Sequence, residues 1–267
     1  MKITTATDLP ERPPIDAKPL SAWRLEWLRL VRSPRLASLV AVYLFFGLLG
    51  PVTARYMSKI LERAESNLTI IAGEPRPVDG MTNFISQANQ TGLVVVIVVA
   101  AGALAFDARR GVSTFLRTRT RQMSTLVAPR FTISATAAIA AYALGTLGAW
   151  YETTLLIGRL PALSVLEGWL CGSVYLLFAV AVTTMAASLA RSLLGTVGLA
   201  VGILLALPIA GTFPEVHRWL PSSLATAPVD LLGSAELVDY IPALSVTVVT
   251  TGALVAYALR RLQDREV

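Results

Sequence analysis

Long apolar stretches alternate with shorter polar ones along the chain, and their lengths predict six membrane-spanning helices. A helix needs about 20 mostly apolar residues to cross the hydrocarbon core of a bilayer. The apolar stretches are residues 36–54, 92–106, 131–151, 169–190, 193–213 and 241–259. The fourth and fifth are separated only by Arg191 and Ser192, which predicts a tight antiparallel pair. We therefore predict an all-α integral membrane domain over residues 21–267.

The polar stretches predict segments outside the membrane core. Residues 1–20 contain four prolines and lack the apolar core of a signal peptide, so we predict a disordered cytoplasmic tail. Residues 55–91 are predicted to form a small cap on the opposite, outer side. The second span has little apolar length, so its helix is expected to continue past residue 106. Residues 214–240 contain three prolines and predict broken outer helices between the fifth and sixth spans.

Residues 21–32 predict an amphipathic helix that lies in the membrane interface and leads into the first span. Trp23, Trp27 and Leu30 fall on one side of a helical wheel, and three arginines occupy much of the rest. Tryptophan and arginine together suit the headgroup region of a bilayer. Two interpretations remain open: a membrane anchor, or a contact surface for a soluble partner.

The basic residues predict that both termini lie in the cytoplasm. Seven Lys and Arg precede the first span, six lie between the second and third, Arg191 joins the fourth and fifth, and three follow the sixth. Six Lys and Arg fall on the other side. Because cytoplasmic loops carry an excess of basic residues, this topology accounts for the net charge of +6. We expect no binding to nucleic acid.

The loop between the second and third spans combines positive charge with apolar residues. Residues 106–130 contain six arginines against the single acid Asp107. The apolar side chains among them recur at near-helical spacing, which is typical of a short helix lying across the span ends. We predict that this loop contacts a soluble partner. The candidate contact residues are Asp107, Arg110, Gly111, Phe115, Leu116, Arg119, Arg121, Met123 and Leu126.

The sequence lacks the residues that most membrane enzymes and ion-coupled carriers require. The central parts of the six spans carry no Asp, Glu, Lys, Arg or His, although coupled carriers keep such groups within the membrane. None of the three lysines follows a glycine-rich phosphate-binding loop, and no hydrolase motif surrounds the single histidine, His217. We expect no catalytic site, bound metal or cofactor in this chain.

Two glycines in the fifth span predict a helix contact. Gly198 and Gly202 have the spacing that lets helix backbones approach closely. One interpretation is a dimer contact. The other is that glycine is simply frequent in membrane helices.

The loop and the topology together resemble the type-two permease family of ATP-binding-cassette transporters. The loop of that family begins with an acid, basic residues and a glycine, continues through a leucine-rich turn, and closes on a basic residue. Asp107, Arg110, Gly111, Leu116 and Arg130 stand in the matching places. The sequence departs from the family with Val112 where it has threonine and Thr120 where it has proline.

This resemblance implies the transmembrane subunit of an ATP-driven exporter in a bacterial cell membrane. It implies a second permease, identical or paralogous, and two copies of a cytoplasmic ATPase that holds ATP and magnesium. Spans without internal charges suit an amphipathic cargo such as a drug, peptide or lipid. A non-transporting scaffold or sensor subunit of such a complex is the alternative.

Overall fold

The computed structural model describes residues 21–64, 75–104 and 124–264, and all regular structure within these ranges is helical. Six helical runs are long and apolar enough to cross a membrane: Pro34–Met57, Pro77–Leu104, Thr125–Leu156, Ala162–Leu189, Leu193–Ala210 and Leu237–Asp264. The predicted all-α fold with six spans is confirmed.

The helices have the following bounds. A lead-in helix, Ala22–Val31, precedes the first span, whose helix is Pro34–Ala64. The second span consists of Pro77–Gln87, a π-helical turn at Ala88–Gly92, and Leu93–Leu104. The third is Ser124–Leu156, the fourth Ala162–Leu189 and the fifth Leu193–Ala210. Two short helices, Pro214–His217 and Ser223–Asp230, and a 3₁₀ turn, Leu237–Tyr240, precede the sixth, Ile241–Asp264.

Side-chain caps explain where two of these helices begin. The Ser21 hydroxyl accepts the Arg24 N–H at 3.3 Å and starts the lead-in helix. The Ser192 hydroxyl accepts the Gly195 N–H at 3.0 Å and starts the fifth span, two residues after the extended residue Ala190. Serine favours this position because its oxygen replaces a missing backbone acceptor. The predicted tight turn between the fourth and fifth spans is therefore present.

The second span begins earlier than the predicted residue 92. Its helix starts at Pro77, and Met81, Phe84 and Ile85 lie buried within the part assigned from sequence to an outer cap. The proline and glycine in this stretch suggested a turn, but Pro77 occupies a first-turn position, where its missing N–H costs no hydrogen bond. Asp79 supports the start by accepting the Arg76 N–H at 2.8 Å.

The third and sixth spans are also longer than predicted. The third helix extends from Ser124 to Leu156, beyond the predicted 131–151 at both ends. The sixth helix continues to Asp264 rather than ending near residue 259. Polar residues extend both helices past the apolar runs, so hydropathy alone underestimates their lengths.

The first and third spans cross at two glycines. A Cβ added to Gly47 would overlap the carbonyl oxygen of Gly145, and one added to Gly145 would lie 2.7 Å from the carbonyl oxygen of Tyr43. The two backbones are therefore in direct contact.

An aromatic cluster fills the space beside this crossing. Tyr142 meets Tyr43 edge to face, with ring centroids 5.8 Å apart, and stacks on Phe84 at 6.1 Å. Gly172 makes room for it, because a Cβ there would lie 2.6 Å from the Tyr142 hydroxyl. This cluster joins the first four spans into one core.

Burial differs strongly among the spans. The fourth is mostly buried, whereas the first, fifth and sixth bury only a minor share of their residues. The helix Ser223–Asp230, here called the outer helix, folds back into the molecule with Leu224 and Ala227 fully buried. We use "outer" for the side opposite the lead-in helix. The predicted broken helices between the fifth and sixth spans are present.

Candidate functional site

Most of the predicted partner-contact residues lie outside the described residues. These are Asp107, Arg110, Gly111, Phe115, Leu116, Arg119, Arg121 and Met123. Leu126 is described, and it lies half-buried near the start of the third span, packed against the core. The proposed contact role of the loop remains a prediction.

The two ends of this loop are joined by Arg130. Its Nε donates to Glu26 Oε1 at 2.9 Å, and its Nη1 donates to the carbonyl oxygen of Ala103 at 3.0 Å. Glu26 lies in the lead-in helix, Ala103 near the end of the second span, and Arg130 near the start of the third. We call these three residues the root cluster, because they connect the lead-in helix to both ends of the loop.

The root cluster is nearly excluded from solvent. The side chains of Arg130 and Glu26 are only 10% and 13% exposed. Glu26 also pairs with Arg29, at 2.7 Å. A buried ion pair costs desolvation, and removing one partner leaves the other charge without compensation. The arrangement therefore holds three elements in one defined geometry.

Sequence reasoning missed the root cluster. Arg130 was assigned to the charge of the loop, and Glu26 was not singled out. The available signal was that Glu26 is the one acid among the arginines of the lead-in helix. An isolated acid on a basic helix is a candidate partner for a buried cation elsewhere, but the sequence does not identify which cation.

The lead-in helix presents its tryptophans outward. Trp23 and Trp27 are each 50% exposed, whereas Leu30 is buried against the core. The three residues predicted to share one face therefore divide between an exposed part and a packed part. Exposed tryptophans suit either a bilayer interface or a protein contact, so both interpretations of this helix stay open.

A groove lies between the second and fifth spans. It encloses about 420 Å³, within the range of small-molecule sites. Its walls are apolar, and three adjacent polar residues lie on one side. The lining residues are Asn89, Gln90, Thr91, Leu93, Val94, Ile97, Val201, Leu204 and Leu205.

The polar residues of the groove lie on the π-helical turn. The N–H of Leu93 donates to the carbonyl of Ala88, five residues back, instead of the usual four. Asn89 donates from Nδ2 to the carbonyl of Ala225 in the outer helix at 2.7 Å. The Gln90 side chain donates from Nε2 to Ser86 Oγ of the same span at 3.3 Å. Such turns occur often at functional sites.

Sequence reasoning also missed Asn89, Gln90 and Thr91, because they fall within the predicted outer cap. The usable signal was a run of polar residues between Ile85 and the apolar stretch that starts at Leu93. A polar run of this kind within a long helix is kept only where it has hydrogen-bonding partners or lines a wet cavity.

Gly198 and Gly202 lie on an exposed face of the fifth span. No atom of the described residues lies within 4 Å of a Cβ added at either position. They make no close contact with any other described helix. Their predicted contact with a second permease remains a prediction.

Comparison with known proteins finds a distant relative. No protein-family model matches the chain, and no solved structure matches it. The chain is 23% identical over 219 residues to the uncharacterized transmembrane protein YxlG of Bacillus subtilis (strain 168). The aligned region covers 80% of this chain and 85% of that protein. The chain is a membrane protein with several transmembrane helices. Within the described residues, no group of three His, Cys, Asp or Glu side chains could hold a metal ion.

Proposed function

We propose that this chain is the transmembrane subunit of an ATP-binding-cassette exporter. It would pair with a second permease, identical or paralogous, and with two cytoplasmic ATPase chains that hold ATP and magnesium. The observation that carries this proposal is the root cluster, which fastens the lead-in helix to both ends of an arginine-rich loop.

The root cluster supports this function because it connects the lead-in helix to the second and third spans. A soluble motor that pushes on the loop, or on the lead-in helix, would act on the second and third spans together through Arg130. Ligand binding at one site can move distant helices when it favours one of two rigid-body arrangements of the protein. The sequence shows no phosphate-binding loop, so a partner would have to provide the energy.

The groove supports an amphipathic cargo. Its walls are leucine, isoleucine and valine, and its polar groups are two amides and one hydroxyl. A site of this kind binds an apolar body and recognises one hydrogen-bonding group on it. None of the residues that line it is charged, which disfavours a small ion as cargo.

Purification of the tagged chain from its native membrane tests the proposal. We expect an ATPase with a phosphate-binding loop to co-purify in equal amount, identified by mass spectrometry. Reconstituted vesicles should then move an amphipathic cargo only when ATP is present. Absence of any such ATPase from the purified and cross-linked material would refute the proposal. Stable co-purification without ATP-dependent transport would identify a scaffold or sensor subunit instead.

A further inference from the structure

The two halves of the second span are anchored near opposite ends of the third span. In the outer half, a Cβ on Gly80 would lie 2.7 Å from Thr153 Oγ1, and Phe84 is fully buried beside Gly50. In the inner half, the Ala103 carbonyl accepts from Arg130. Each half therefore keeps its own rotational setting about the helix axis.

The π-helical turn lies where these two settings meet. One extra residue in a turn shifts everything on one side of it by about 100° and about 1.5 Å relative to an uninterrupted α-helix. Gly92 fixes the inner end of the turn, because a Cβ there would lie 2.9 Å from the buried ring of Tyr43. The orientation of Gln90 and Thr91 toward the groove thus depends on how the turn is held.

Asn89 supplies the hydrogen bond that holds this turn from outside its own helix. Its amide reaches the Ala225 carbonyl across 136 residues of sequence, at 2.7 Å. A carbonyl oxygen has two lone pairs, so the Ala225 carbonyl can accept the Asn89 amide in addition to a backbone donor.

We propose that Asn89 is the positioning residue of the groove. Its bond to Ala225 keeps the π-helical turn in the register that presents Gln90 and Thr91 to the cavity. Without this bond the turn is held only at its two ends, and both polar groups lose their fixed orientation toward the groove. The use of the groove for cargo rests on the proposed function, whereas the geometry of the turn does not.

Thiol labelling of the full chain in lipid nanodiscs tests this inference. The single native cysteine is replaced (Cys171→Ser), and one cysteine is introduced at Thr91→Cys, or at Leu205→Cys on the opposite wall. The rate of reaction with N-ethylmaleimide is then measured with and without Asn89→Leu, which keeps the side-chain shape and removes the amide. Thr82→Val is the matched control, because the Thr82 hydroxyl donates to the Val78 carbonyl of its own helix, at 2.9 Å.

Asn89→Leu should slow labelling at position 91 by up to about fivefold, the population change produced by one net hydrogen bond. Labelling at position 205 should stay unchanged, and Thr82→Val should affect neither position. Asn89→Asp, which retains size but lacks the donor, should act in the same way and serves if Asn89→Leu fails to insert. An unchanged or faster rate at position 91, or a parallel change at position 205, overturns the inference. None of these results bears on whether an ATPase co-purifies.

Discussion

At the scale of single residues, the packing of the first span on the third depends on glycine at two positions. Gly47 and Gly145 face each other so closely that either Cβ would meet backbone of the other helix. Backbone cannot rotate away as a side chain can, so an added methyl group must push the helices apart. Gly198 and Gly252, in contrast, have open space around them.

Gly145→Ala should therefore destabilise the protein, by about 3 kcal/mol, at the upper end of overpacking effects. Gly198→Ala and Gly252→Ala are the matched controls. They should be neutral or stabilising by up to about 1 kcal/mol, because alanine favours helix. The free energy of unfolding can be measured by SDS titration in mild detergent. Equal behaviour of all three variants would show that the crossing tolerates separation.

The sequence identifies such glycines but not their partners. Gly198 and Gly202 have the spacing of a helix contact, yet they are open in this chain, whereas Gly47 and Gly145 are far apart in sequence and touch. The same limit applies to Glu26 and Arg130. Local spacing describes one helix face, and the pairing of faces depends on a tertiary arrangement that a single sequence does not specify.

At the scale of elements, the apolar runs correctly predicted that six spans exist. The predicted start of the second span was wrong, because a hydropathy criterion detects only helices that are apolar on all sides, as a lipid-facing helix is. Residues 77–91 are polar on average, but Met81 and Phe84 bury the apolar side of this helix against the first span. The groove was missed for the same reason, since its polar residues lie in this segment.

The root cluster makes a prediction about the junction of elements. Glu26→Gln should cost about 3 kcal/mol of stability, because it removes the carboxylate from a buried ion pair with Arg130. Arg29→Gln is the matched control: Arg29 pairs with the same carboxylate but is 59% exposed, so its loss should cost less than about 1 kcal/mol. SDS titration again reports the difference. Equal small losses would mean that water reaches Arg130 freely.

The central loop makes a second prediction at this scale. If its apolar residues enter a groove on an ATPase, Phe115→Ala should release that ATPase, since a buried aromatic anchor contributes about 2 kcal/mol or more to binding. Arg117→Ala and Arg119→Ala should have smaller, salt-sensitive effects as charges at the rim. Retention of the ATPase on the purified permease is the measurement. Full retention and normal export with Phe115→Ala would leave the loop with only a topological role.

At the scale of the whole molecule, the distribution of basic residues predicts the orientation. Single cysteines in a Cys171→Ser background test it in intact cells with a membrane-impermeant thiol reagent. Ser234→Cys, exposed between the outer helix and the sixth span, should be labelled. Gln263→Cys, exposed near the end of the sixth span, should be labelled only after the cells are opened. The reverse labelling pattern would show that the protein has the opposite orientation, with the root cluster outside the cell.

Assembly is the other property of the whole molecule that its surface predicts. The fifth span exposes Leu194, Gly198, Gly202, Leu205 and Ile209 at successive turns of one face. A second permease packed there would approach closely at the glycines, since association in a bilayer depends on van der Waals contact between close backbones. Gly202→Leu should therefore weaken dimerisation without unfolding the monomer, because the added side chain meets no atom of the described chain within 4 Å at its Cβ. Cross-linking in native membranes, with Gly252→Leu on the sixth span as the matched control, measures the dimer fraction. A dimer that persists with Gly202→Leu but disappears with Gly252→Leu would move the interface to the sixth span, and the groove beside the fifth would then face lipid instead of a second permease.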